Sequence, residues 1–313
     1  MKYLSVKQTA QKWGISPAMV RRYCIQGRIP KAVLEETGWK IPEKAKKPAG
    51  ENQTAVIEGN THPLAKKLLR QKTKKSFHGL YDYVQINLTY SSCRMASNRL
   101  TRKQVEHIFR KGKVTEMFES IKVSDVIEVM NHCICVDYIL DHVTDPLSVS
   151  FIKNLHALLM KASVDEAMRR IVPGEYRTEN SARKEKFFLP AEQIPRSLQD
   201  LLKEYEKVKQ HSLEEVMDFH VRFESIFPFE DGNGRIGRLI LFKECLRHGL
   251  TPFILDDKRR GGYLDGIRNW DEDRTPLLRV VEEAQARFAM QETLQDHMEQ
   301  EHRLSPQHLH SDE

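Results

Sequence analysis

The residues best suited to chemistry lie in one short stretch, Asp231-Gly232-Asn233-Gly234-Arg235, with Arg238 one helical turn later. Two glycines and an asparagine oppose a helix interior, whereas residues 236–248 have a helical pattern that Gly249 stops. The stretch therefore predicts a turn that opens onto a helix N-terminus. Free backbone N–H groups, the helix dipole and two arginines attract an anion there, and phosphate is the expected occupant. Asp231, at the edge of this site, is placed to hold a Mg²⁺ ion that bridges phosphate oxygens.

The composition is that of a globular protein, with 313 residues, 40% hydrophobic and 30% charged. No apolar run reaches about 18 residues and the first residues form no signal peptide, so we expect no membrane partner. The five cysteines are scattered and odd in number, which suggests a reducing compartment, the cytoplasm. Cys133 and Cys135 beside His132 lack a second pair at zinc spacing, and buried small residues on a helix are the favoured interpretation.

Positive charge is concentrated at the N-terminus. Residues 1–50 hold 11 Lys and Arg and three Glu, a charge of +8, whereas the whole chain has +6. This excess indicates an acidic partner for that segment. We expect a domain over residues 1–46, a linker over 47–76, a larger and mostly helical domain over 77–300, and a disordered tail over 301–313.

The N-terminal domain has the pattern of two helices joined by a tight turn and followed by a hairpin. The first helix is predicted over residues 3–13, the second over 17–26 after an N-cap at Ser16, and the hairpin, or wing, over 32–42. The segment resembles the excisionase/MerR-like winged helix-turn-helix module, which implies DNA as its partner. Basic side chains would contact DNA phosphates, namely Lys7, Lys12, Arg21, Arg22 and Lys40. A small basic protein-docking domain is the alternative.

The larger domain is predicted to be built from helices. Helical patterns start at about residue 80 and cover about 102–114, 123–141, 147–162, 194–208, 213–226 and 275–299. Capping boxes at Thr101 and Ser212 mark two of the starts. Residues 173–178 break the helical run, and with 187–190 they predict a two-stranded hairpin beside the anion site.

Residues 227–238 read Phe-Pro-Phe-Glu-Asp-Gly-Asn-Gly-Arg-Ile-Gly-Arg. They resemble the signature of Fic-domain (Fido) proteins, His-Pro-Phe-x-Asp/Glu-Gly-Asn-Gly-Arg-x-x-Arg. Residues 173–178 are similar to the start of the family's flap hairpin, and 249–270 to the helices that follow its motif. The resemblance covers roughly residues 75–290 and implies a mainly α fold, a Fic-type helical bundle with a small β-hairpin flap.

The resemblance also implies a ligand, ATP or another nucleotide together with Mg²⁺ on Asp231. The nucleotide and its phosphates would lie against Gly232, Asn233, Gly234, Arg235, Arg238 and Tyr263. Active members mostly transfer AMP from ATP to a hydroxyl of a target protein (AMPylation), so a protein partner is implied as well. Their flap binds the target segment as an added strand, and the matching residues are Gly174, Glu175, Tyr176, Arg177 and Thr178.

The chain departs from the signature at the catalytic residue. Phe227 stands where the family has the His that acts as general base, and phenylalanine has no proton acceptor. Loss of a general base typically costs about 10²–10⁴ in rate. His220 lies two helical turns earlier, roughly 10 Å away by helical rise, which argues against a direct substitute role. Glu230 adjoins the loop, but as the variable position of the motif it is expected to face solvent.

A second departure concerns residues 89–101, which resemble the inhibitory helix of self-restrained family members. That helix has the pattern Ser-x-x-x-Glu-Gly-Asn, and its Glu pairs with the second Arg of the signature. Here Ser92 matches the Ser and Asn98 the Asn, but Ala96 replaces the Glu and Ser97 the Gly. Arg238 would then lack its restraining carboxylate. The alternative is that Ala96 keeps the site open for an unusual chemistry.

Three functions remain open from the sequence. The first is a Fic-fold, nucleotide-binding pseudoenzyme, impaired in AMP transfer, that serves as a DNA-binding regulator in a bacterial cytoplasm. The second is an active transferase that uses a non-standard base. The third is an interaction module that binds no nucleotide.

Overall fold

The structure is a computed structural model that describes residues 3–15, 17, 20, 23–24, 29, 32–35, 38–47, 61–74, 79–112, 121–163, 171–179 and 189–304. The chain divides into two compact units, Met1–Val56 and Ile57–Glu313. Among the described residues, every helix is too short or too polar to cross a membrane.

The N-terminal unit contains a three-stranded antiparallel sheet in the order β1-β3-β2, with β1 at Tyr3–Ser5, β2 at Val33–Glu35 and β3 at Gly38–Pro42. Helix α1, Val6–Trp13, follows β1 directly. The first helix therefore begins three residues later than predicted, because residues 3–5 pair with β3 and Ser5 closes a capping box with Gln8.

The hairpin predicted over residues 32–42 is present as β2 and β3, where Leu34 pairs with Trp39. The second helix is described at four positions, and residues 17, 20, 23 and 24 are helical there. Val20, Tyr23 and Cys24 are buried with Ala10 and Ile41 in the core of this unit. Arg21 and Arg22 lie outside the described residues.

The larger unit is helical in every regular element that the structure describes. Its helices are α2 Pro63–Lys74, α3 Leu80–Met95, α4 Arg102–Lys111, α5 Val123–Asp141, α6 Val149–Met160, α7 Ile194–Tyr205, α8 Leu213–Ile226, α9 Asn233–Arg247, α10 Arg260–Arg268 and α11 Thr275–Leu304, with 3₁₀ turns at Ala191–Gln193 and Asp257–Arg259. Both predicted capping boxes are formed, by Thr101 with Gln104 and by Ser212 with Glu215. The predicted mainly α fold is confirmed.

Helix α9 is the central element of this unit and packs against α3, α5, α6 and α8. Such a helix must be apolar on most sides or pair its polar groups internally. Ile236, Leu239 and Phe242 are buried in the main hydrophobic core. Lys243 and Glu244 are fully buried too, and they pair at 2.6 Å. The buried position of α9 fixes its N-terminus, the predicted anion site, in the interior of the unit.

The segment predicted as a linker, residues 47–76, is in part a structural helix. Leu64, Ala65 and Leu68 of α2 are buried in the main core, and the His62 amide donates to the Leu246 carbonyl at 2.8 Å. The Lys-rich composition predicts a linker, whereas α2 is amphipathic. Its apolar residues face the core, and Lys67 and Lys72 pair with the carboxylates of Asp296 and Asp141. The last helix reaches Leu304, four residues into the predicted tail.

Candidate functional site

The loop between α8 and α9 has two residues in the left-handed backbone region. Phe227, at the end of α8, has φ 48° and ψ 61°, and Gly232, just before α9, has φ 85°. At the start of α9 the Asn233 side chain accepts from the Phe229 amide at 3.0 Å and donates to the Phe229 carbonyl at 2.7 Å. Asn233 thus uses its amide group to close the loop, and the predicted phosphate contact would come from the backbone.

His156 of α6 contacts this loop through its ring and fixes the loop conformation. Its ring stacks on Phe229 with centroids 3.8 Å apart, and its Nε2 lies 3.2 Å from the Asp231 carbonyl. The Gly174 amide donates to its Nδ1 at 2.9 Å, so Nε2 carries the proton and donates to Asp231. Burial lowers the pKa of His156 to about 4, which keeps the ring neutral. The loop geometry is therefore held by a fixed, uncharged imidazole.

The loop, the start of α9, the end of α3 and α10 enclose a cavity of about 190 Å³. Its lining contains both stretches that the sequence singled out: Met95, Ala96, Ser97, Glu224, Phe227, Asp231, Gly232, Asn233, Gly234, Arg235, Arg238, Arg260, Tyr263 and Leu264. The first N–H groups of α9 have no partner within the helix, since its ladder begins with the bond from Ile236 to Gly232. The cavity thus combines a helix N-terminus with three arginines.

Larger depressions of about 490 and 660 Å³ lie along α7 and α8. Their arginines are already paired, Arg222 with Glu204 at 3.1 Å and Arg274 with Glu214 at 2.7 Å. The smaller cavity at α9 is therefore the stronger candidate for binding a charged ligand.

Arg238 is fixed by α3. Its Nε donates to the Ser92 hydroxyl at 3.1 Å and its Nη2 to the Ser92 carbonyl at 2.9 Å. An ideal Cβ on Gly234 would lie 2.9 Å from Arg238 Nη1, so glycine at position 234 leaves room for the guanidinium. Among the described residues, no carboxylate lies within ion-pair distance of Arg238.

The segment resembling the inhibitory motif surrounds the same arginine. Ala96 ends α3 and lines the cavity, and Ser97 has a positive φ of 75°, a conformation that favours glycine. Asn98 donates to Glu128 Oε2 at 2.7 Å and to the Asp125 carbonyl at 3.0 Å. Ser97 thus has a backbone conformation that the glycine of the resembled motif adopts readily, while the side chain of residue 96 carries no charge.

Arg235 is already neutralised by carboxylates. It donates to Asp231 Oδ2 at 2.6 Å and to Glu128 Oε1, and its side chain is 8% exposed. The Asp231 side chain is 49% exposed, at the mouth of the cavity. Arg235 therefore orients Asp231 and joins α9 to α5, whereas no carboxylate in the described part of the chain pairs with Arg238 in this way.

Glu224 is a further charged residue in the cavity lining. Its side chain is 17% exposed and its buried Oε1 has no hydrogen-bond partner. Burial raises the pKa of Glu224 from its ordinary 4.5 to about 7, against the opposing effect of Arg238. His220, one turn earlier, lies 2.6 Å from the Tyr263 hydroxyl, and burial lowers its pKa to about 3. His220 is therefore a neutral imidazole that contacts Tyr263.

Phe227 is buried, 8% exposed, and is among the residues that line the cavity. Arg177 holds its backbone, because the Nε donates to the Phe227 carbonyl at 2.8 Å and the Arg177 amide donates to the Pro228 carbonyl at 3.0 Å. Burial lowers the pKa of Arg177. A left-handed phenylalanine costs about 1–2 kcal/mol, so these bonds retain a strained residue at the site.

The flap prediction falls partly on the described residues. Residues 171–179 contain a turn at Pro173-Gly174 and no strand. Of the predicted returning half, 187–190, residues 189 and 190 are described and are not strand, while 187 and 188 lie outside the described residues. The Gly174 amide donates to His156 of α6, and Arg177 donates to the Phe227 carbonyl in the loop. Glu175 pairs with Lys153 at 2.7 Å. The first half of the predicted flap is thus attached to the site loop.

Most of the predicted site residues are brought together. The cavity lining includes all the residues proposed for the nucleotide and the metal, and Glu230 is exposed as predicted. Sequence reasoning missed Glu224, His156, Arg260 and Glu128. Glu224 lies one helical turn before Phe227, a spacing that could have revealed it.

A cavity lined by three arginines at a helix N-terminus, inside a helical bundle, is a type of site that favours anions. The model of the Fic/DOC family matches residues 146–244, which include α6, α8, most of α9 and the whole loop. The chain therefore contains a Fic/DOC region.

The comparisons with individual proteins agree on the fold. A 54-residue stretch is 37% identical to a protein named "Probable protein adenylyltransferase aq_aa38" from Aquifex aeolicus (strain VF5), but it spans 17% of this chain and 16% of that protein. A Fic domain containing signaling protein from Bacteroides thetaiotaomicron VPI-5482 is similar in structure, with a TM-score of 0.58 and 21% identity over 74% of this chain and 94% of that one.

Fic-1 from C. elegans has a TM-score of 0.56 and 19% identity, covering 75% of this chain and 67% of that chain. A Fic family protein from Desulfovibrio desulfuricans G20 has a TM-score of 0.52 and 22% identity over 73% and 75% of the two chains. At these identities the structural likeness shows the Fic-type helical fold, which was predicted.

Proposed function

We propose that the larger unit binds a nucleotide, ATP with Mg²⁺, and is impaired in the transfer of AMP. The observation that carries the proposal is the cavity at the start of α9, where Arg238 and Arg260 face a helix N-terminus and Phe227 stands beside them. Two cationic side chains with free backbone N–H groups favour a polyanionic ligand over a neutral one.

A magnesium ion would arrive with the nucleotide. Among the described residues no group of three or more His, Cys, Asp or Glu side chains could form an all-protein metal site. Mg²⁺ usually takes one or two carboxylates and completes its shell with water and phosphate oxygens. Asp231, half-exposed at the cavity mouth, fits that role, and the ion would neutralise phosphate charge when bound.

Phe227 is the reason for proposing impaired transfer. A protein hydroxyl that attacks a phosphate must lose its proton, and the Phe227 side chain cannot accept one. His220 cannot replace it, because its ring is buried against Tyr263 and its pKa is lowered to about 3. With Ala96 opposite Arg238, the site also lacks the charged group that restrains related proteins. Loss of the base and of the restraint together fits a protein that retains binding without the usual transfer.

Calorimetric titration of the whole chain with ATP and Mg²⁺ tests the binding proposal. Arg238→Ala removes a charged hydrogen-bond donor worth about 1.5–3 kcal/mol, which is roughly a 10- to 100-fold loss of affinity. Asp231→Ala should reduce the dependence of binding on Mg²⁺. Arg222→Ala is the matched control, because this arginine of α8 lies outside the cavity and should leave affinity unchanged. Absence of binding heat from the native chain would favour the interaction-module function.

Labelling with ATP that carries a radioactive α-phosphate tests the transfer proposal. The native chain should label neither itself nor a lysate protein, whereas Phe227→His should restore labelling. Phe227→Ala is the control for bulk, because it opens the same space without supplying a base. Labelling by the Ala variant as strong as by the His variant would show that obstruction, and not the missing base, limits the native chain.

The alternative function is an active transferase with another proton acceptor. Glu224 favours it, because this carboxyl lines the cavity and its pKa is raised to about 7 by burial. Native labelling that is lost in Glu224→Gln would support this alternative. A target protein, in either case, would dock at the flap residues that adjoin Arg177.

We propose DNA as the partner of the N-terminal unit. The support is the charge of +8 on residues 1–50 together with the β2–β3 hairpin. Lys7 is exposed, whereas Lys12 donates to the Glu43 carbonyl and is partly committed within the unit. DNA retardation by the whole chain should weaken as salt rises and be lost on Arg21→Ala with Arg22→Ala. Retention of DNA at unchanged strength in that double variant would refute this interface.

The cysteines support a reducing compartment, and we propose the cytoplasm. All five are free, and Cys93, Cys135 and Cys245 are buried in the helical unit. Burial raises the pKa of each of these thiols, which makes them inert packing groups. The protein purified from a cytoplasm without added reductant should therefore hold five free thiols, and a disulfide found by mass spectrometry would contradict the assignment.

A further inference from the structure

The cavity contains one carboxyl group that the proposed function leaves without a role. Glu224 Oε1 is buried without a hydrogen-bond partner, although buried polar atoms are usually paired. An ideal Cβ on Gly237 would lie 2.8 Å from this oxygen, and one on Gly234 would lie 3.7 Å from it. The carboxyl thus lies against α9 at two glycines, in the turn that also carries Arg238.

The nearest fixed positive charge is Arg238. An ideal Cβ on Gly234 would meet both its Nη1, at 2.9 Å, and Glu224 Oε1, at 3.7 Å. The two groups are farther apart than an ion pair, yet Arg238 lowers the pKa of Glu224 against the larger effect of burial. Arg238 therefore interacts with whichever negative charge is present, the Glu224 carboxylate or a bound anion.

The other ionisable groups around Glu224 do not compensate its charge. On α8 itself, His220 Nε2 lies 3.9 Å away, but burial and Arg238 lower the His220 pKa to about 3, so the ring is neutral. On α10, burial raises the pKa of Tyr263, so the phenol is neutral as well, and Arg260 donates to the Met95 carbonyl. On α9, Arg235 is paired with Asp231 and Glu128. The cavity residues at the end of α3 and just after it, Met95, Ala96 and Ser97, have no ionisable side chain.

We propose that Glu224 is a proton-linked member of the anion site, so that a phosphate group binds at Arg238 together with the uptake of a proton by Glu224. A phosphate beside Arg238 withdraws the charge that favours the carboxylate and adds a negative charge of its own. Both effects favour the neutral carboxyl, and by linkage the neutral carboxyl favours the phosphate. The inference rests on the proposed nucleotide site and adds its regulation by pH.

The pH range of this effect follows from the protonation of Glu224 in the ligand-free protein. Burial sets the pKa of Glu224 at about 7, so about half of the carboxyls are ionised at pH 7 before the ligand binds. Binding should then take up as much as about half a proton at pH 7 and more at pH 8. Affinity for the phosphate group should fall by up to about tenfold per pH unit above pH 7 and level off below pH 6.

Calorimetry in two buffers of different ionisation enthalpy measures this proton directly. The whole chain and Glu224→Gln are titrated with ATP and Mg²⁺ in PIPES and in Tris at pH 7, and the slope of heat against buffer enthalpy gives the protons taken up. The nucleotide's own protons are the same in both chains, so the difference belongs to position 224. We expect a difference of about half a proton, and weaker pH dependence of affinity in the Gln variant.

Glu230→Gln is the matched control, since Glu230 is an exposed carboxyl of the same loop and its removal should leave the proton count unchanged. Circular dichroism confirms that each variant is folded, and the pH dependence of native affinity between pH 6 and 8.5 gives a second measure without any variant. Binding with an equal proton count in the native and Gln chains would overturn this inference alone. If neither chain binds the nucleotide or inorganic phosphate, the anion site itself is absent and the proposed function fails with it.

Discussion

Replacement of Glu224 by glutamine should stabilise the protein, and more so as the pH rises. The pKa of Glu224 is raised from 4.5 to about 7 in the folded state by burial, so the folded chain binds an extra proton between these pH values. The contribution of the Glu224 carboxyl to stability is therefore fully present below pH 4.5 and is lost as the pH rises through 7. This raised pKa lowers the free energy of unfolding, relative to a group that stays neutral, by about 3 kcal/mol at pH 8 and by about 1.5 kcal/mol at pH 5.5.

Urea denaturation of the native chain, Glu224→Gln and Glu230→Gln at pH 5.5 and pH 8 measures this effect. Glutamine keeps the shape of the protonated carboxyl but cannot ionise. The free energy of unfolding of the native chain should therefore be lower than that of Glu224→Gln, and the difference should be about 2 kcal/mol larger at pH 8 than at pH 5.5. The exposed Glu230 carboxyl should give a curve parallel to the native one. A constant difference between native chain and Glu224→Gln at both pH values would refute the buried, ionising carboxyl.

Three further predictions concern the support of the site. Gly237→Ala places a methyl 2.7 Å from His220 Cε1 and should cost about 1–3 kcal/mol in urea denaturation, whereas Gly261→Ala, with open space around it, should cost little. His156→Ala removes a stacked ring and orphans a buried amide, and a loss of about 3 kcal/mol at pH 7 is expected by the same assay. Acid should destabilise the fold below pH 6.5, because burial lowers the pKa of three histidines that must charge on unfolding. The raised pKa of Glu224 offsets part of this effect, so the net loss should be up to about 3 kcal/mol per pH unit, and a flat urea midpoint from pH 7 to 5.5 would contradict this. Those histidines are His132, His156 and His220.

The helices of the larger unit could be predicted because their patterns are local. Capping residues such as Thr101 and Ser212 and apolar spacing mark the helix bounds to within a few residues. The linker prediction at α2 is wrong because the lysine-rich sequence of this helix resembles a linker. The contacts that place it on the core, as between His62 and Leu246, are distant in sequence. At residues 3–5, pairing with β3 decided the structure, and that partner is more than thirty residues away.

The residues of the anion loop could be predicted from their types, but their environment could not. Glycines and arginines at a fixed spacing predict a loop that opens onto a helix, and Asp231 and Arg238 both line the cavity at that helix start. Glu224 was missed because its significance depends on burial between α8 and α9, where its raised pKa arises. The support of the loop by His156 likewise depends on α6 packing beneath it, about seventy residues away in the chain.

The rate of AMP transfer in native and Phe227→His chains tests the central claim most directly. The left-handed backbone at position 227 suits histidine better than phenylalanine, so the variant should fold and present its ring to the cavity. With saturating labelled ATP and Mg²⁺, in a single-turnover assay, we expect the histidine chain to label itself or a lysate protein about 10²–10⁴ times faster than the native chain. Equal labelling rates in the two chains would contradict the account, because the phenylalanine at position 227 would then not limit the rate of AMP transfer.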